Sequence, residues 1–271
     1  MGELERSKAT ICIVNYKTED FVRLCLRSIR KFTRYPYEVM VIDNNSADGS
    51  LEYLRSLKWI RLIERDTQND IGGGQAHAAA LDTGLANCQT EFFISMHSDT
   101  VVHKAGWLEE LVGYFDNDEK VACVGSGKVE LEAKWRTILK RSTDLRTFRR
   151  KLLSKPDPLG IHRYYNRTIC CLYRTDVLRR EGLCFVMDRE KGLTAGKKLY
   201  FELVDRGYKT VELPCSVMGG YLFHLAHATQ VTNPAEFKLR KKTMRKGNRL
   251  VNKVMSSQAV QRVMADESLD K

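Results

Sequence analysis

The strongest constraint on the fold comes from the first hundred residues, where β-branched apolar runs alternate with segments of helical period. Residues 9–15 read ATICIVN, a short buried-strand pattern. The following TEDFVRLCLRSIRKF spaces Phe21, Leu24, Cys25, Ile29 and Phe32 along one helical face, with Thr18 and its acidic neighbours as the start. YEVMVID is a second strand. SADGSLEYLRSL is a second helix with Ser46 or Asp48 as its N-cap, and WIRLIER is a third strand. NDIGGGQAHAAALDTGLANC then sets three glycines before an Ala-rich helix, and EFFISMHSD forms a fourth strand. Near-continuous apolar strands separated by helices predict a parallel sheet covered on both faces, a Rossmann-like α/β unit.

Beyond residue 100 the pattern predicts a helix in AGWLEELVGYF, a strand in KVACVGSG, and a strand running into a helix that stops at Gly182 in TICCLYRTDVLRREG. KKLYFELVDRGYKTVELP reads as helix, glycine stop and strand, and GGYLFHLAHAT as a short strand or loop. From Pro234 the chain reads as one long basic helix with Phe237, Met244, Leu250 and Met255 as apolar anchors. The expected organisation is one domain over residues 1–232 and a basic helical tail over 233–271.

Charge narrows the partners. The net charge is +11, and it is concentrated in two segments: residues 134–167 hold eleven Lys/Arg against two Asp, and 234–253 hold eight against one Glu. Such blocks suit an anionic partner such as a phosphate-bearing substrate or an anionic membrane surface. No apolar run reaches the length of a membrane span and the N-terminus lacks a signal-peptide core, so a cytoplasmic protein, at the inner face of the membrane, is expected. The eight cysteines lack C-x-x-C spacing and read as buried reduced thiols.

Several polar residues stand where α/β proteins place their chemistry, at the carboxyl ends of strands. Asp43 ends the second strand, where it can accept hydrogen bonds from a base or sugar or form an Asx turn with Asn44, Asn45 and Ser46. Gly72, Gly73 and Gly74 offer close backbone approach at a helix N-terminus, although neither the G-x-G-x-x-G nor the P-loop spacing is present. His97 and Asp99 end the fourth strand on one face, a pair suited to a divalent cation that neutralises a departing diphosphate. His224 and His227, far along the chain, could complete the coordination. His77, His103 and His162 read as hydrogen-bonded core residues.

In combination these segments resemble the family 2 glycosyltransferases of the GT-A fold. The resemblance is carried by TICIVNYKTEDFVRLCLRSI, YEVMVIDNNSADGS, NDIGGGQAHAAALDTGLANC and EFFISMHSDT, and by TICCLYRTDVLRREGLCF, GYKTVELP and YLFHLAHAT further on, over roughly residues 8–230. It implies a mixed central sheet and a nucleotide-sugar donor of the UDP type bound by the N-terminal half. Val14, Asn15 and Asp43 would contact the nucleoside, Gly73 or Gly74 would lie near the base or ribose, and His97 and Ser98 would line the donor site. Asp99 occupies the last carboxylate of the family's D-x-D motif and would hold Mn2+ or Mg2+ with His224. His97 replaces the first Asp of that motif and is a further candidate ligand. Arg163, Arg167 or His227 would assist the phosphates.

A second departure concerns the base. The family's Glu-Asp pair, whose Asp deprotonates the acceptor hydroxyl, falls on Ala195-Gly196 here, so Asp188 or Glu190 in a re-aimed loop is the expected substitute. The reaction implied is inverting transfer to a lipid-linked acceptor or an anionic glycan, in polysaccharide or glycolipid synthesis, with nucleic acid not expected as a partner. The rivals are an inactive relative that binds nucleotide-sugar or another anionic partner, favoured by the missing pair, and a nucleotidyltransferase. The latter needs a Gly-rich phosphate loop near the N-terminus, and IVNYKTED has no glycine.

Overall fold

The computed structural model describes residues 3–68, 72–116, 118–127, 165–226, 228–237 and 239–271. The greater part of the basic stretch 134–167, including His162 and Arg163, lies outside the described residues, as does His227.

The four predicted N-terminal strands form as β1 (Glu5–Asn15), β2 (Tyr37–Asp43), β3 (Ile60–Glu64) and β4 (Thr90–His97). They are joined by helices α1 (Glu19–Phe32), α2 (Gly49–Ser56) and α3 (Gly73–Asn87). Strand β5 (Thr100–Val102) and helix α4 (Trp107–Val112) come next, followed by β6 (Val121–Ser126), β7 (Cys170–Arg174) and α5 (Thr175–Arg180). The remainder is α6 (Ala195–Asp205), β8 (Lys209–Leu213), α7 (Cys215–Met218), β9 (Leu222–His224) and α8 (Ala228–Thr232). A seven-stranded sheet has the order β3-β2-β1-β4-β7-β6-β8. Its first four strands are parallel, and β7 is antiparallel to both neighbours, so the sheet is mixed.

Alternation along the central strands divides the core between two faces. Ile11, Ile13, Val39, Val41, Ile94 and Met96 pack with α1, α2 and α4. Cys12, Val14, Met40, Ile42 and Phe93 point the other way, against α3, α5 and α6. Each such side chain removed from water contributes about 1.5–3 kcal/mol, which specifies the register of every central strand. The α3 side has a particularly close approach: a Cβ on Gly84 would sit 2.4 Å from Cys12 Sγ, so only glycine lets this helix lie so near β1.

The tail differs from the expected single helix. It forms α9 (Lys241–Met255), breaks at Ser256-Ser257, and continues as α10 (Gln258–Met264) and a 3-10 turn (Glu267–Asp270). The break lets α10 fold back, so that Val254, Val260 and Val263 pack with Phe21 and Leu24 of α1. Arg27 of α1, almost wholly buried, pairs with Asp270 and donates to the Met264 carbonyl. Burial of an apolar stripe, which one straight helix pointing into solvent would forfeit, accounts for the turn.

Candidate active site

In a parallel sheet the strand order reverses where successive crossovers change direction, and the crevice opens at the carboxyl ends there. That point lies between β1 and β4, and a cleft of about 940 Å3 opens at it. Val14 and Tyr16 from the end of β1 and His97, Ser98 and Asp99 from the end of β4 line it, with Gly72, Gly73, Gly74 and His77 from α3 on one side. Tyr165, Arg167, Thr168, Ala195 and Gly196 line the opposite part, and His224, Glu236 and Phe237 close it from the C-terminal region.

Asn15 and Asp43 do not reach this space. Both are fully buried, and the Asn15 amide donates to Asp43 Oδ1 at 2.7 Å and to Ser50 Oγ at 2.9 Å. The other Asp43 oxygen accepts from the Ser46 amide at 2.8 Å, closing the Asx turn that the sequence left as an alternative. Asn45 takes φ +58° in that turn, a conformation Asn tolerates better than most side chains. Thr18 similarly turns inward rather than capping α1: its hydroxyl donates to Asn15 Oδ1 at 2.9 Å and lies 3.1 Å from Ser98 Oγ. These residues form the floor of the cleft and tie the ends of β1, β2 and β4 together. The neighbouring Asn44 does line the cleft.

Gly72 adopts φ +83° and precedes α3 with no side-chain cap, and Gly72, Gly73 and Gly74 line the cleft at the start of that helix. Free N–H groups at a helix start favour an anion.

The juxtaposition of Asp99 with His224 depends on two three-residue strands. β5 and β9 pair antiparallel with Thr100 opposite His224, and the Leu225 amide donates to the Asp99 carbonyl at 3.0 Å. His224 Nε2 thereby comes within 2.9 Å of Asp99 Oδ1, and His97 Nδ1 lies 3.9 Å from the same oxygen. The ring of His97 stands edge-on to His224 at 5.2 Å and to His77 at 4.9 Å, so α3 contributes a third histidine that the sequence placed in the core. Burial pushes His77 down to about 4. Burial, followed by the two neighbouring imidazoles, holds His97 well below the usual imidazole range. For Asp99 burial acts upward, but His224 outweighs it and leaves the carboxyl below its ordinary value. At neutral pH the cluster is therefore a carboxylate beside neutral His77 and His97, and neutral imidazole has a lone pair to offer.

His97, Asp99 and His224 present donor atoms within 4.8 Å of one another. Ligand bonds of about 2.0–2.2 Å place adjacent donors about 3 Å apart, so an ion would draw these three inward by a small amount. The residues thus fit a divalent cation. Arg167 faces the same space, its guanidinium lying 5.4 Å from the Tyr165 ring centre. Asp188 and Glu190 do not: Asp188 accepts from the Lys191 amide in a turn, Glu190 is exposed, and only Met187 of that loop lines the cleft. The fold therefore does not place either as the expected base.

Among the described residues Asp99 and Glu236 are the cleft's carboxylates. Glu236 is held by Lys17 and by the Tyr16 hydroxyl at 2.7 Å, which keep it below the usual carboxyl range and ionised. Ala195 and Gly196 line the wall where the family's acid pair would stand. A Cβ on Gly196 would approach the Asn166 carbonyl to 3.1 Å and Thr168 Cγ2 to 3.3 Å.

Comparison with known proteins identifies the family and the fold. An uncharacterized glycosyltransferase of Haemophilus influenzae is 23% identical over 117 residues, 43% of this chain and 35% of the relative's length. Among solved structures, mannosyltransferase PcManGT of Pyrobaculum calidifontis, in complex with GDP-Man and Mn2+, superposes with a TM-score of 0.53 at 17% identity, over 96% of this chain and 74% of that one. Glucosyl-3-phosphoglycerate synthase of Mycobacterium tuberculosis, in complex with Mn2+, UDP and glucosyl-3-phosphoglycerate, gives 0.52 at 16% identity over 92% and 79%. S. aureus TarS 1-349 gives 0.52 at 13% identity over 93% and 72%. These likenesses establish the GT-A fold, and residues 10–182 match glycosyl transferase family 2, to which the chain belongs.

Proposed function

We propose that this family 2 glycosyltransferase moves a sugar from a UDP-type donor to an acceptor oxygen with inversion, assisted by a divalent cation. The observation that carries this reading is the His97–Asp99–His224 cluster, half-buried at His97 and buried at the other two, at the strand switch point, inside a cleft large enough for a nucleotide-sugar. Asp99 and His224 would hold the ion, which supplies positive charge to the leaving diphosphate. The ions in the related complexes are Mn2+ and Mg2+. Val14, Ser98, Gly73 and Gly74 would border the donor, with Asn15 and Asp43 supporting them from below. Arg167 and the open amides of α3 would hold phosphate oxygens.

Transfer breaks the bond from the anomeric carbon to the phosphate oxygen and forms one to the acceptor, while the nucleoside diphosphate keeps the electron pair. Among the described residues no carboxylate besides Asp99 and Glu236 lines the cleft, and an acceptor that attacks through an already ionised oxygen fits such a site. A lipid-linked or anionic glycan acceptor agrees with the basic surface: exposed Lys241, Lys242, Arg245, Arg249 and Lys253 stud α9, shortly after Glu236 and Phe237 on the cleft wall. In this reading residues 1–232 carry the reaction, and 233–271, which close the cleft at Glu236 and Phe237 and pack back on α1, present a basic face to the inner face of an anionic membrane. Among the described residues, no helix is long and apolar enough to cross a membrane.

Donor hydrolysis across a panel of nucleotide-sugars, with and without Mn2+, tests the enzymatic reading in the wild type and in Asp99→Ala. Metal-dependent release of UDP that is lost in the variant supports it, and no turnover of any donor refutes it. Cosedimentation with anionic but not neutral vesicles checks the membrane contact. A second reading, donor binding without transfer, is favoured by one observation: the base position is glycine and its Cβ space is partly taken by Asn166 and Thr168.

A further inference from the structure

His97 stands where the family's motif has a carboxylate, and its surroundings orient it as a ligand. Its Nδ1 faces Asp99 at 3.9 Å, while Nε2 lies 3.4 Å from Thr168 Oγ1. A hydrogen bond from Nε2–H to that hydroxyl leaves the Nδ1 lone pair directed toward Asp99 and His224, the usual way an outer contact fixes a metal-binding tautomer. The rings of His77 and His224 stand edge-on to it at 4.9 and 5.2 Å and limit its rotation.

We propose that His97 is the third ligand of a two-histidine, one-carboxylate site with Asp99 and His224, and that this set selects a zinc- or cobalt-type ion over Mg2+. The inference rests on the metal-assisted reading given above. Mg2+ is a hard ion that demands oxygen ligands in near-ideal octahedral geometry and gives up water reluctantly. Among the described residues the cluster offers it one carboxylate and two imidazoles. The other carboxylate among the described residues of the cleft, Glu236, is occupied by Lys17 and Tyr16. Imidazole suits Zn2+, Co2+ and Fe2+, and the order of affinities at nitrogen-containing sites runs upward from Mn2+ to the later ions. Three protein donors would also leave a position free for a donor phosphate oxygen.

The test uses the full chain, stripped with a chelator and titrated by calorimetry with Mg2+, Mn2+, Co2+ and Zn2+, with and without UDP. X-ray absorption at the zinc edge then counts the imidazoles on the bound ion. We expect one Zn2+ per chain bound at least ~100-fold more tightly than Mg2+, with at least two imidazoles in its shell. His97→Asp should remove one imidazole, weaken Zn2+ about 10–100-fold and strengthen Mg2+. A single imidazole in the wild type, Mg2+ binding as tight as Zn2+, or zinc retained undiminished in Asp99→Asn would each overturn the proposal. The first two would leave the metal-assisted reading standing. Failure to bind any of the four ions, even with UDP present, would overturn both. The wild-type count is informative whether or not the variants fold.

Discussion

Removing the carboxylate of Asp270 should destabilise the protein far more than its place in the last turn suggests. The Arg27 side chain is 2% exposed and that of Asp270 23%. Arg27 Nε donates to Asp270 Oδ1 at 2.9 Å, a second guanidinium nitrogen donates to Oδ2, and the Tyr53 hydroxyl donates to Oδ1 at 2.8 Å. Breaking a buried pair by deleting one partner costs about 3–5 kcal/mol, because the remaining charge is stranded. Partial exposure of Asp270 admits water to the guanidinium and lowers this to about 2 kcal/mol, and the orphaned Tyr53 hydroxyl adds about 1 kcal/mol. Asp270→Ala should therefore cost about 3 kcal/mol in urea unfolding, with a midpoint shift and little change in slope. In an Arg27→Met background the same change should cost under about 1 kcal/mol, since no charge is left behind. Equal losses in the two backgrounds would refute the reasoning. The pH dependence follows from the Asp270 carboxyl. Burial pushes it up, but the contacts with Arg27 and Tyr53 outweigh this and hold it below its ordinary value. The pair's contribution is thus complete above about pH 5 and is lost as pH falls through the lower folded-state value. Wild type and Asp270→Asn should differ by a constant amount from pH 5 to 8 and converge in stronger acid.

Three other changes probe the cleft and its support. Arg167→Ala should raise the Kd of UDP about tenfold while leaving that of uridine unchanged, as read by calorimetry, because one charge-assisted hydrogen bond contributes about 1.5–3 kcal/mol. Gly84→Ala should cost about 1–3 kcal/mol through the 2.4 Å approach to Cys12 Sγ, and Cys12→Ala in the same chain should recover most of the loss in thermal unfolding. Gly196→Ala should cost about 1 kcal/mol by crowding the Asn166 carbonyl, which lies 3.1 Å from the new Cβ.

The parallel half was legible because β1, β2 and β4 bury both faces and α1 carries a long apolar stripe, so period and element type agree. The two-histidine, one-carboxylate cluster was legible only in part. Asp99 and His224 were matched by resemblance, but nothing local in TVV or LFH signals that these triplets pair with each other across the fold. His77 reads from sequence as a hydrogen-bonded core residue of an Ala-rich helix, since its contact with His97 exists only once α3 packs on the sheet. Asn15 and Asp43 were placed at the correct strand ends, yet each satisfies the other, a pairing that depends on the register of β1 and β2. The tail misled for the opposite reason. Its basic and apolar residues continue at helical spacing, and neither glycine nor proline marks the reversal at Ser256-Ser257.

The wall at Gly196 bears on how such a cleft can change over evolutionary time. A carboxylate at this position and the present course of residues 166–168 compete for the same space. Placing an acidic side chain there is therefore a coupled event, in which residues 166–168 give way by a few tenths of an ångström before or together with the substitution. Sequence variants that carry Asp at 196 should also carry altered residues at 166–168, and that covariation would record the order of the two steps.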